Sequence, residues 1–68
     1  MIGQIFINDN GRFQVDTREL TCGDVLEVLI VENDVPRWIK TSVEASGGKY
    51  YLTGLLGFAV PGLFARVR

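Results

Sequence analysis

The chain has no histidine and a single cysteine, Cys22, among its 68 residues. Without imidazole there is no ordinary base poised near neutral pH and no histidine-containing metal set, and one thiol can neither build a zinc-binding cluster nor close an internal disulfide. The sequence therefore implies no metal and no cofactor, and it gives an enzyme little to work with. A long hydrophobic run is also missing: Tyr50 to Ala65 carries no charge, but these 16 residues fall short of the roughly 20 that a spanning helix needs. Gly54, Gly57, Pro61 and Gly62 interrupt them further. Neither sign of charge dominates, with seven basic residues against eight acidic and a formal charge of −1, so the accumulated positive charge that drives phosphate binding is lacking.

What remains is a short chain built on alternation. Sixty-eight residues suffice for one domain and not two. No repeat, low-complexity tract or flexible linker divides them. A domain of about 60 residues buries only about 60% of the surface its unfolded chain exposes, so with no metal or disulfide this one must rest on its apolar core or on a partner subunit. An unpaired cysteine and the lack of a signal-peptide pattern predict a reducing compartment, the cytoplasm.

The most informative stretch runs from Glu19 to Val43. Leu26, Val28 and Ile30 alternate with Val25, Glu27 and Leu29, and Ile39, Thr41 and Val43 alternate with Trp38, Lys40 and Ser42, the period of two that marks half-buried strands. Before it, Ile5-Phe6-Ile7, a turn at Asn8-Asp9-Asn10-Gly11 and Arg12-Phe13-Gln14-Val15 form a hairpin signal. Asp16-Thr17-Arg18-Glu19 is polar, and Cys22-Gly23-Asp24 turns the chain into its longest strand, Val25 to Val31, where β-branched residues disfavour helix. Glu32 to Pro36 is expected as a polar loop, with the next strand starting near Arg37 because proline cannot donate a ladder bond. A four-residue turn at Ala45-Ser46-Gly47-Gly48 would set Glu44 opposite Lys49, Ser42 opposite Tyr51 and Lys40 opposite Thr53. A strand to Thr53, an irregular or single-turn connection from Leu55 to Val60 and a last strand from Leu63 to Val67 complete the reading.

These elements predict an all-β fold, a small SH3-like barrel of five or six antiparallel strands spanning residues 1–68. Its expected core is Ile5, Ile7, Phe13, Val15, Leu20, Leu26, Val28, Ile30, Ile39, Val43, Leu52, Leu63 and Val67. The succession of Glu19-Leu20, Gly23-Asp24, Val25-Leu26-Glu27-Val28-Leu29, Arg37-Trp38-Ile39-Lys40, a glycine turn and Gly62-Leu63-Phe64 resembles the central part of SH3 domains. The resemblance implies the barrel and stops short of proline-peptide binding: Arg12 to Val15 lacks the tyrosine-rich motif, Ile39 stands where a second tryptophan is common, and Ala65-Arg66-Val67 lacks the Pro-x-x-Tyr element. The chain as a whole is similar to a small bacterial family known only as a domain of unknown function, on Gly11-Arg12-Phe13, Leu20, Gly23-Asp24, Leu26-Glu27-Val28, Trp38, Tyr51-Leu52, Gly62-Leu63 and Arg66-Val67. That resemblance implies a fold and no activity.

In the expected register Trp38, Lys40, Tyr51 and Thr53 share one outward face, joined by the apolar Leu29 and Val31. Two amphipathic aromatics beside a cation suit a recognition surface, since tryptophan and tyrosine combine large contact area with a polar handle. The candidate binding residues are Trp38, Lys40, Tyr51, Arg37 and Arg66, the leading expectation is a non-catalytic protein-interaction module, and a homodimer is one form of it. The competing structural reading makes Trp38 a cap over an open barrel end and Tyr51 a cover for a loop. A second functional reading lets Trp38 and Tyr51 stack bases while Arg37, Lys49, Arg66 and Arg68 meet phosphates. A third is a subunit or inhibitor that occupies a partner's site. Asp9, Asp16, Asp24 and Asp34 all fall in expected turns, where aspartate bonds nearby backbone, and Cys22 has no evident cationic activator.

Overall fold

The computed structural model describes residues 1–55 and 59–67. Among these described residues seven strands are formed: β1 (Ile2–Ile7), β2 (Phe13–Val15), β3 (Arg18–Glu19), β4 (Val25–Glu32), β5 (Val35–Ser46), β6 (Lys49–Leu52) and β7 (Phe64–Arg66). They make one sheet in the order β3-β2-β1-β7-β4-β5-β6, with every pair antiparallel. The sheet curls into a half-barrel, all-β as expected and with seven strands where five or six were expected. The additional short strand is β3, whose two residues fold back on β2 through Asp16, held at φ 52°.

The placement of β7 is what makes the sheet continuous. It lies between β1 and β4, pairing Gln4 with Phe64 and Ile2 with Arg66 on one side and Glu27 with Arg66 on the other. Beyond the ladder, Ile5 N–H donates to the Leu63 carbonyl and Gly62 N–H to the Ile5 carbonyl, each at 2.8 Å. Across the open side of the curl, the Arg12 guanidinium sits 5.9 Å from the Tyr50 ring, bringing the start of β2 to β6.

Both long hairpins close more tightly than the sequence suggests. Asn33 and Asp34 turn β4 into β5 with φ of 51° and 63°, and Gly47 and Gly48 turn β5 into β6 with φ of 59° and 80°. Two successive positive-φ residues make the two-residue turn whose twist matches that of paired strands. Hence β5 begins at Val35, not Arg37, and Pro36 lies inside the ladder opposite Val31. Such a turn makes Glu32 and Val35 the hydrogen-bonded closing pair, so Val31 and Pro36 form a non-bonded pair and the proline nitrogen points away from β4, where no donor is needed. In the second hairpin Ser46 pairs with Lys49 and Glu44 with Tyr51, and Thr53 N–H donates to the Ser42 carbonyl at 3.0 Å. The expected pairs Glu44 with Lys49, Ser42 with Tyr51 and Lys40 with Thr53 are therefore wrong by two residues. A shift of two keeps every side chain on its face, and Lys40 simply lies beyond the end of β6.

The core is Ile5, Phe13, Val15, Leu20, Leu26, Val28, Ile30, Val43, Leu52, Leu55, Val60, Ala65 and Val67, with Ile39, Tyr50 and Leu63 packed against it. Ile7 departs from expectation: it has the parity of Ile5 but ends β1 at the rim of the sheet and is 55% exposed. Leu55 and Val60 are buried on either side of residues 56–58, so the middle of the expected Leu55–Val60 connection lies outside the described residues. The last strand is shorter than the expected Leu63–Val67. The buried Thr41 hydroxyl donates to the Thr53 carbonyl at 2.7 Å, which satisfies the polar group in the apolar interior. Asp24 acts as a turn residue, its Oδ2 accepting from Thr21 N–H at 2.9 Å.

Candidate functional site on the outer face of the sheet

Because successive strand residues point to opposite faces, burying Leu26, Val28, Ile30, Ile5 and Ala65 commits their neighbours to the outer face. The registers line these neighbours up in rows. One row runs Ile2, Arg66, Glu27, Lys40 across β1, β7, β4 and β5. The next carries Gln4 and Phe64 on β1 and β7, and Leu29 and Trp38 on β4 and β5; continuing the β4–β7 register by one residue sets Phe64 beside Leu29. Val31 opposite Pro36 follows on the hairpin, with Phe6 at the β1 side.

Arg66 organises the centre of this face. Its Nε donates to Glu27 Oε1 at 2.9 Å and its NH2 group to Glu27 Oε2 at 3.3 Å, a two-pronged fork, while the guanidinium carbon lies over the Trp38 ring, 4.2 Å from its centroid. A planar cation can satisfy a carboxylate edge-on and an aromatic ring face-on at once, which lysine cannot do. Lys40 is exposed and stands directly across from Glu27. A shallow depression of about 350 Å³ lies among Val25, Leu26, Glu27, Lys40 and Arg66.

The structure thus brings Trp38, Lys40 and Arg66 together. Tyr51 shares their face, half-buried on β6 opposite Glu44 and further along the hairpin. Arg37 does not join them: as the neighbour of Trp38 it has the opposite parity, and it pairs with Glu32 at 3.7 Å. Sequence reasoning passed over Glu27, Ile2, Phe6 and Phe64. The alternation of Ile2, Gln4 and Phe6 was available as a signal, but the placement of Arg66 beside Glu27 depends on β7 entering between two strands distant in the chain, and nothing local announces it.

Five of the large hydrophobic side chains exposed among the described residues, Ile2, Phe6, Val25, Val31 and Phe64, belong to this one face. Ile2 is 63% exposed, Val31 62% and Phe64 49%. Scattered exposed hydrophobics are ordinary on a protein surface; their concentration on one face is not. Among the described residues no group of histidine, cysteine, aspartate and glutamate side chains is placed to hold a metal ion, and no helix is long and apolar enough to cross a membrane.

A small antiparallel β domain with one aromatic and apolar outer face is the class these features define. The family model for a domain of unknown function, DUF5348, matches residues 3–67, and the chain belongs to that family. Comparison with curated proteins and with solved structures finds no match.

Proposed function

We propose that this protein is a non-catalytic binding module that engages another protein through the outer face of its sheet, centred on Trp38, Arg66, Leu29 and Phe64, with Lys40 and Tyr51 at its borders. The observation that carries the reading is the gathering of exposed Ile2, Phe6, Val31 and Phe64 around a half-buried tryptophan and a paired arginine. Aromatic and arginine anchors amid apolar neighbours are the composition of interface centres. The single, exposed, unpaired Cys22 supports action in a reducing compartment, the cytoplasm, and the family resemblance supports a bacterial setting.

Nucleic acid receives less support. Arg66 is forked to Glu27, Arg37 faces the other way beside Glu32, Lys49 sits at the far turn and Arg68 lies outside the described residues, so the described cations do not assemble into a phosphate-binding track. The test is affinity capture from host lysate with wild type and a folded Trp38→Ala variant, analysing protein and nucleic acid at low and high salt. A protein retained by wild type at both salt concentrations and lost by the variant is the expected result. Identical eluates, or nucleic acid that dissociates steeply with salt, would overturn it.

A further inference from the structure

We infer that the partner of the outer face is a second copy of this chain, two sheets stacking face to face about a twofold axis. The inference rests on the reading of that face as an interaction surface and names its occupant.

Two observations point to self-association. The first is charge. Across the face, Arg66 on β7 and Glu27 on β4 are adjacent and opposite in sign. A twofold axis lying between the stacked sheets, along the strands and midway between β4 and β7, exchanges these two strands between copies. Glu27 of one copy then meets Arg66 of the other, and the two intrachain forks become one cluster of alternating charge. The same operation sets Leu29 over Phe64 and brings Lys40 over Ile2 at the border, where a lysine stem can cover apolar surface with its ammonium still in water. Among the described residues of β1, β7, β4 and β5 this operation opposes no like charges.

The second is composition. Ile2, Val31 and Phe64 are exposed on the same face as the charged pair, so the operation that joins the charges also covers apolar surface along the central strands.

The experiment is sedimentation equilibrium on the full chain up to the millimolar range, with circular dichroism to confirm folding of each variant. Wild type is expected to dimerise from its 7.6 kDa monomer. Phe64→Glu should weaken association by about a hundredfold or more, because it places an unpartnered carboxylate in a dry contact. Val35→Glu, an exposed site on the other face of β5, should leave it unchanged. A charge exchange reads the pairing directly: Glu27→Arg and Arg66→Glu should each be monomeric alone and form a heterodimer when mixed. A monomeric wild type overturns the inference, as does a dimer indifferent to Phe64→Glu or a mixture that stays monomeric. If wild type is monomeric while Trp38 still governs capture of a different protein, the binding module stands and its occupant is another chain; if capture is also indifferent to Trp38, both fall.

Discussion

The guanidinium of Arg66 stacks 4.2 Å from the centroid of the Trp38 ring although the residues belong to strands separated by β4, and the same group holds Glu27 by two hydrogen bonds. Arg66 thereby links Trp38 on β5 to Glu27 on β4 through one guanidinium. A double-mutant cycle with Trp38→Leu and Arg66→Gln, followed by urea unfolding, should show a coupling of about 0.5–1 kcal/mol, the range for exposed cation–π pairs. Arg66→Lys should keep part of the coupling that Arg66→Gln abolishes, because an ammonium still attracts the ring and Glu27 but loses the planar fork. Strict additivity would remove the pair from any account of the face.

Position in the core separates two residues that look alike in sequence. Leu52 is 1% exposed and Ile7 is 55% exposed. Leu52→Ala should cost about 2–5 kcal/mol, which is comparable to the few kcal/mol that a single core supplies to so small a domain, and should leave much of the protein unfolded. Ile7→Ala should change stability by no more than about 0.5 kcal/mol. Urea midpoints of the two variants decide the matter, and equal losses would contradict the burial of β1 given above.

The division between what could be read from residues and what could not follows the range of the interactions. Leu26, Val28, Ile30 and Val43 declared themselves by alternation, since a strand's two faces are written in its own sequence. The outward group of Trp38, Lys40 and Tyr51 followed from the same periodicity and survived a register error of two residues, because only odd shifts exchange faces. Turn length is not legible where polar residues flank the two-residue turns, and Pro36 looks like a barrier in sequence although its nitrogen occupies a non-bonded site. Ile7 has core parity, but parity does not say where a strand outruns the core. The Glu27–Arg66 fork joins residues 39 apart in sequence and depends on β7 completing the sheet, a long-range event with no local trace.

The tight hairpins make their own prediction. Asp34 holds φ at 63°, a conformation that costs an ordinary L-residue and costs glycine little. Asp34→Gly creates the Asn-Gly pair preferred in this turn and should stabilise the protein by a few tenths to about 1 kcal/mol. Gly48→Val places a β-branched side chain at φ 80° and should destabilise by about 1–2 kcal/mol or more, despite open space around the position. Thermal or urea unfolding should order the three proteins as Asp34→Gly, wild type, Gly48→Val; any other order argues against two-residue turns.

Acid should find a specific weak point in the β1–β2–β3 corner. Glu19 accepts from Asn10 Nδ2 at 3.0 Å and Asn8 Nδ2 at 2.7 Å and lies beside Arg12, and these partners, the Asn10 bond first, hold its carboxyl below the ordinary value of 4.5. A carboxyl whose folded pKa is depressed favours the native state fully above the unfolded value, and the contribution disappears as pH falls through the folded value. Stability should therefore decline on acidification from 4.5 downward, and Glu19→Gln should remove that part of the pH dependence while leaving the rest of the acid transition in place. Asn10→Ala should move the Glu19 titration upward toward 4.5, followed by carboxyl NMR in the folded protein. If the midpoint stays where it was, the hydrogen bonds to Glu19 are not what lowers it, and the field of Arg12 would have to carry the shift alone.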